Sequence, residues 1–159
     1  MSQNAGKPPD FPKLTILVAP GELPSRTWAR FIRFHDRVGR QMDQIFARHG
    51  VSQAQFDVLM TLLIGGEGIT QQELAKRLLV TKGNVCGLID RMESAGWVER
   101  REDPEDRRAN RIYLTDNGRQ QATQTFPDTK AMVDETLGQL DQRQLQNLYE
   151  ILGQLDPEA

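Results

Sequence analysis

The 159-residue sequence predicts a mainly α-helical chain with one small β-hairpin, and three observations predict it. Apolar residues recur every three or four positions over most of the chain, the period of a helix that buries one face. Ser52, Thr70, Thr81 and Asp141 stand immediately before four of those stretches, as residues whose side chains can cap free helix amides. Short alternation of polar and apolar residues is confined to two neighbouring segments, Trp97 to Arg101 and Arg111 to Leu114.

The length suits one domain with a real core, or a small domain with a dimerisation arm. With 38% hydrophobic and 26% charged residues the composition is that of a globular protein, and no apolar run approaches the ~20 residues that span a bilayer. Leu14 to Ala19 is too short and too far along for a signal peptide, so a cytoplasmic location with no membrane partner is expected. The single cysteine, Cys86, excludes a disulfide framework and a multi-cysteine zinc site, and no metal or cofactor is implied. A net charge of −2 argues against binding nucleic acid by bulk charge. Between Thr70 and Thr115, nine Lys or Arg stand against eight acids, so any affinity for DNA has to come from placement.

In chain order, residues 1–24 hold five of the eight prolines and read as an extended arm. Trp28, Phe31, His35, Val38, Met42, Ile45 and His49 then keep alternating spacings of 3 and 4, the narrow seam of a long helix over 25–49 that Gly50 closes. Ser52 opens a second helix to about Leu63, ended by Gly65 and Gly66, and Glu67 to Ile69 is a connector or short strand. Thr70-Gln-Gln-Glu73 is a capping box opening a helix of about two turns. Thr81 caps the next helix, whose Val85, Leu88, Ile89 and Met92 form one apolar stripe up to Gly96. Two capped helices so closely linked signal a helix-turn-helix. The hairpin follows directly, with a charged tip from Glu102 to Ala109. Thr115 opens a helical stretch to about Leu140, interrupted at Pro127, and Asp141 caps a last helix with Leu145, Leu148, Leu152 and Leu155 on one seam. Both ends of the chain thus carry seams that call for another helix, which predicts an obligate homodimer built from 25–49 and 119–159 around a lobe at 50–118.

Helix, helix and hairpin in that order make a winged helix-turn-helix, here flanked by N- and C-terminal dimerisation helices. Ile69 to Ala75 reads ITQQELA, Ile89 to Arg100 reads IDRMESAGWVER, and Asp103 to Arg108 reads DPEDRR before Ile112-Tyr-Leu-Thr115 and Gly118. These segments resemble the first helix, the end of the recognition helix and the wing of the MarR (multiple antibiotic resistance regulator) family. The resemblance implies a transcriptional regulator, effector-responsive and repressing, that binds double-stranded DNA as a homodimer at a pseudo-palindromic site.

The residues support that reading separately. On a helical projection of Thr81 to Ala95, the apolar stripe turns inward, so Gly83, Gly87, Asp90 and Ser94 face outward with Asn84, Cys86 and Arg91 on the flanks. Two glycines let the helix lie close to base edges, and Lys82 and Asn84 offer donors to bases or phosphates. The plain alternative is that the glycines only weaken an exposed helix. At the hairpin tip Asp103, Glu105 and Asp106 would repel phosphate, yet Arg107 and Arg108 sit where a wing reaches the minor groove, and the resemblance matches the family's wing arginine to this pair. The expected DNA-binding set is Thr70, Gln71, Thr81, Lys82, Gly83, Asn84, Gly87, Arg91, Arg107 and Arg108. Asp90 is expected either to pair with a wing arginine and orient it or to be freely solvated.

The resemblance further implies a small aromatic or phenolic effector between the lobe and the dimerisation helices, where Trp28, His35 and Asp57 are candidates. Trp28 and Asp57 resemble positions of the family's urate-responsive branch, but Leu88 stands where that branch has arginine. Packing is the ordinary role for a seam histidine and a seam tryptophan. Two alternatives remain: a winged helix used for protein contacts, and a thiol switch through Cys86. Nothing in the sequence supplies a catalytic constellation, so no enzyme activity is expected.

Overall fold

The computed structural model describes residues 22–78, 82–104 and 109–156. Along the chain run α1 (Leu23–His49), α2 (Gln53–Gly65), β1 (Ile69–Thr70), α3 (Gln71–Arg77), α4 (Lys82–Ser94), β2 (Val98–Glu102), β3 (Asn110–Leu114), α5 (Asp116–Leu137) and α6 (Gln142–Leu155). Two compact units part within α1, the first ending at Arg40 and the second running from Gln41.

In the first unit α1 starts at Leu23, two residues earlier than the seam implies, because Pro24 fits the first helical turn, where no amide is needed. Trp28 stacks on Phe31 at 5.8 Å, and both rings stay about half exposed.

In the second unit the core gathers Leu59 and Leu62 of α2, Leu74 of α3, Val85, Ile89 and Met92 of α4, and Val98 and Ile112 of the hairpin. The period-3.6 stripe of α4 and the period-2 alternation of the strands meet there, as both patterns require. A smaller cluster of Phe46, Val51 and Phe56, with the two rings 5.2 Å apart, holds the end of α1 to α2. The capping boxes at Ser52 with Gln55, Thr70 with Glu73 and Asp141 with Gln144 all form.

The hairpin is part of a three-stranded antiparallel sheet in the order β1-β3-β2, with Ile69 opposite Ile112 and Val98 opposite Leu114. Of the Glu67 to Ile69 connector, Ile69 alone is in a strand, β1, which it forms with Thr70. That strand is only two residues long, too short to show alternation.

Pro127 does not interrupt α5, contrary to the expectation from sequence. The proline removes one amide from the helix ladder, but the helix is held on both sides of it by a buried face of Ala122, Thr125, Thr129 and Met132. Thr125 and Thr129 bury their hydroxyls by donating to the carbonyls of Gln121 and Phe126 at 2.9 and 2.8 Å. Phe126 and Val133 border that buried face and stay about 40% exposed. In α6, Leu145, Leu152 and Leu155 are likewise uncovered in the single chain.

Candidate nucleic-acid interface

The helix pair is set from its first residue. Thr70 caps α3 by accepting from the Glu73 amide, while the Glu73 carboxylate accepts from the Thr70 amide at 2.8 Å and its hydroxyl at 3.0 Å. Those bonds, the backbone one foremost, hold the Glu73 carboxyl below its ordinary range. The Thr70 hydroxyl is thus engaged within the protein. Gln71, half-buried beside it, accepts from the Cys86 thiol at 3.6 Å. This contact turns the single cysteine toward α3.

On α4, Val85, Leu88, Ile89 and Met92 are buried, which leaves Gly83, Asn84, Asp90 and Arg91 exposed and Gly87 half-buried. Lys82 opens the helix. Thr81, Arg107 and Arg108 lie outside the described residues. A Cβ at Gly83 would meet nothing within 4 Å, and one at Gly87 would come only as close as 3.6 Å to the Arg91 guanidinium. Neither glycine is therefore demanded by packing.

Below this surface, Ala54 and Asp57 of α2 and Leu78 form a groove of about 430 Å³ with Gly83, Asn84, Gly87, Leu88 and Arg91. Asp57 is half-buried, and burial pushes its carboxyl above the ordinary carboxylate range. Trp28 and His35 belong to the first unit, where His35 is exposed with Nδ1 3.6 Å from Asp36.

Helix α4 ends at Gly96 with φ +71°, where the Trp97 amide donates to the Met92 carbonyl at 2.9 Å and turns the chain into β2. One strand residue then returns to α4. Arg100 forms ion pairs with both Asp90 and Glu93, and its amide donates to Glu93 Oε1 at 3.2 Å. Partial burial alone would lower the Arg100 pKa, but the two carboxylates outweigh it and the net shift is upward. Asp90 thus pairs with an arginine of the first hairpin strand rather than standing free. Sequence reasoning missed Arg100, although β-strand alternation places it on the same side as buried Val98.

Asp103 corrects the expected tip. Its residue is only 5% exposed and its carboxylate lies 2.9 Å from Arg111 Nε, while Arg111 also donates to the Gly68 carbonyl at 2.8 Å. The Asp103 amide donates to Ala109 at 3.0 Å and closes the hairpin loop. This carboxylate is turned inward to fasten the strands and is not presented to a phosphate.

A family model described as MarR family matches residues 49–109. The HTH-type transcriptional repressor YetL of Bacillus subtilis is 30% identical over 120 residues, covering 75% of this chain and 72% of YetL. Among solved structures, a point mutant of MarR from E. coli complexed with operator DNA superposes with a TM-score of 0.72 at 27% identity, covering 81% of this chain and 93% of that one. The S. aureus MepR–DNA complex shares the fold, with a TM-score of 0.74 at 21% identity over 82% of this chain and 96% of MepR. With the helix pair, the strand-to-helix lock and these relatives together, the chain belongs to the MarR family of helix-turn-helix transcriptional regulators.

Proposed function

We propose that the chain binds duplex DNA sequence-specifically as a cytoplasmic homodimer, at a pseudo-palindromic operator, and represses until a small aromatic or phenolic effector releases it. The observation that carries this reading is the exposed, side-chain-poor face of α4, held in register with the hairpin by Arg100. The operator complex of the related MarR mutant and the repressor name of YetL support it. In this reading Lys82, Asn84 and Arg91, with Thr81, Gly83 and Gly87, meet the major groove, and Arg107 and Arg108 meet the backbone or minor groove. Thr70 and Gln71, whose side chains bond Glu73 and Cys86, meet the DNA from the start of α3.

The α2–α4 groove supports an effector site at Asp57, and Trp28 and His35 of α1 stay candidates on the family resemblance. Asn84, Gly87 and Arg91 belong to both groove and outer face, so a bound effector would compete with DNA. The uncovered apolar positions of α1, α5 and α6, such as Phe31, Phe126 and Leu152, support dimerisation. Sedimentation at micromolar concentration is expected to give a dimer. A folded monomer would refute the assembly.

Helix and wing have different signatures on DNA. Arg108→Ala is expected to weaken binding to all duplexes and to flatten the salt dependence by about 0.9 in log K against log salt, the loss of one phosphate contact. Asn84→Ala is expected to cost about 1–3 kcal/mol on the operator and little on random duplex, with the salt slope kept. Shift assays on the chain's own upstream region, with and without aromatic acids, provide the measurement. Unchanged affinity in both folded, dimeric variants would reject the DNA-docking reading.

A further inference from the structure

Arg26, Arg30, Arg33, Arg37 and Arg40 recur along α1 at spacings of 4, 3, 4 and 3. At 100° per residue they fall within roughly 80° of arc, centred roughly 140° away from the apolar seam of Trp28, Phe31 and Val38. All five are exposed. Among the described residues no carboxylate lies within ion-pair distance of any of them. Asp36, the one acid between Arg26 and Arg40, faces His35, and Arg37 rests on the Phe34 ring at 5.6 Å. The result is a ridge of guanidinium groups about every 5 Å over roughly 21 Å of helix, on a chain whose net charge is −2.

Neighbouring like charges at these spacings oppose the helix they decorate unless an anion lies against them. Every basic residue of the ridge is arginine although the chain has five lysines elsewhere, and the planar guanidinium fork matches phosphate oxygens in pairs. The ridge cannot face its own copy across a dimer axis without repulsion. Covering the apolar seam leaves it outward. A protein partner is anchored by aromatic or aliphatic residues at the centre of its contact, and here the centre holds guanidinium groups, with Phe34 and Asp36 at the edges.

We propose that this ridge is a second binding surface for the phosphate backbone of duplex DNA, separate from α4 and the hairpin. It rests on the reading of the chain as a DNA-binding regulator. The phosphates come from DNA flanking the operator or from a separate duplex. Binding is indifferent to sequence and strongly dependent on salt.

The test uses the full chain and a variant combining Arg30→Gln, Arg33→Gln and Arg37→Gln. Each is titrated with the shortest upstream duplex that the wild type retains, with the same duplex carrying long random flanks, and, after saturation by the short duplex, with a second labelled random duplex. Excess affinity and steeper salt dependence on the flanked duplex identify flanking DNA, and capture of the labelled duplex identifies a separate one. The variant is expected to lose that excess or capture, its log K against log salt slope flattening by up to about 2.7 at about 0.9 per contact, with short-duplex affinity unchanged. Arg33→Gln alone is expected to remove about a third of the change, which keeps the test informative if the combined variant unfolds. Wild type and variants alike in both arms would overturn the proposal. So would wild-type capture of polyglutamate that the variant loses while the duplex arms stay the same, which assigns the ridge to an acidic protein. Failure of the wild type to retain any upstream duplex in preference to random DNA overturns the operator reading instead, and the difference between wild type and variant on random duplex still decides the ridge.

Discussion

Gly118→Ala is expected to destabilise the second unit by about 3 kcal/mol, by forcing atoms into occupied backbone space. A Cβ at Gly118 would lie 1.9 Å from the Trp97 carbonyl oxygen and 2.8 Å from its carbon. The two segments cannot separate cheaply there. The Thr115 amide donates to that same Trp97 carbonyl at 3.1 Å, the Thr115 hydroxyl donates to the Gly96 carbonyl at 2.5 Å, and the Gly118 amide donates back to the Thr115 hydroxyl at 3.0 Å. Trp97 is itself fixed by the end of α4 and by the β2 pairing that begins at Val98. For a chain of this size the melting temperature should fall by roughly 6–12 °C. A melting temperature within about 2 °C of wild type would show that the α5 entry relaxes around the methyl group.

Asp103→Ala is expected to weaken both the fold and its affinity for DNA, although it removes a negative charge near the proposed wing. Removing a buried carboxylate leaves Arg111, two-thirds buried, without its ion-pair partner at the loop end of the hairpin. Breaking a fully buried pair costs about 3–5 kcal/mol, and the partial exposure of Arg111 reduces this to about 2 kcal/mol. Urea unfolding measures the first effect and duplex titration at two salt concentrations the second. Tighter DNA binding at unchanged stability would mean that Asp103 acts as an exposed repelling charge after all.

These two positions show where sequence reading succeeds and stops. The glycine was visible as part of a family-like segment, but its reason, a carbonyl twenty-one residues earlier in the chain, is a tertiary fact. The caps at Ser52, Thr70 and Asp141 were legible because each is completed within three residues. The stripe of α4 was legible because a helix repeats its inward face. Asp103 was misread because charge density in a loop does not say which carboxylate turns inward. Its partner Arg111 becomes visible only once the β2–β3 register, Glu102 opposite Asn110, is known. The same holds for Arg100, whose two partners lie on α4. Pro127 was weighed as a local break, whereas the contacts that hold α5 straight come from a face it shares with neighbouring turns. Of the expected contact residues, Gly83, Asn84 and Arg91 are exposed together on α4, while Thr70 and Gln71 turn to partners inside the protein.

The Arg100 pairing has a mechanical consequence. Asp90 and Glu93 grip one strand residue through its guanidinium and its amide, which ties α4 to β2. In the proposed reading, α4 and β2 meet the duplex as coupled parts of one surface. In the proposed dimer, an effector can mask that surface or change the span between its two copies in the manner of a pair of callipers. For the proposed homodimer, that coupling makes the spacing of half-sites count alongside the bases within them.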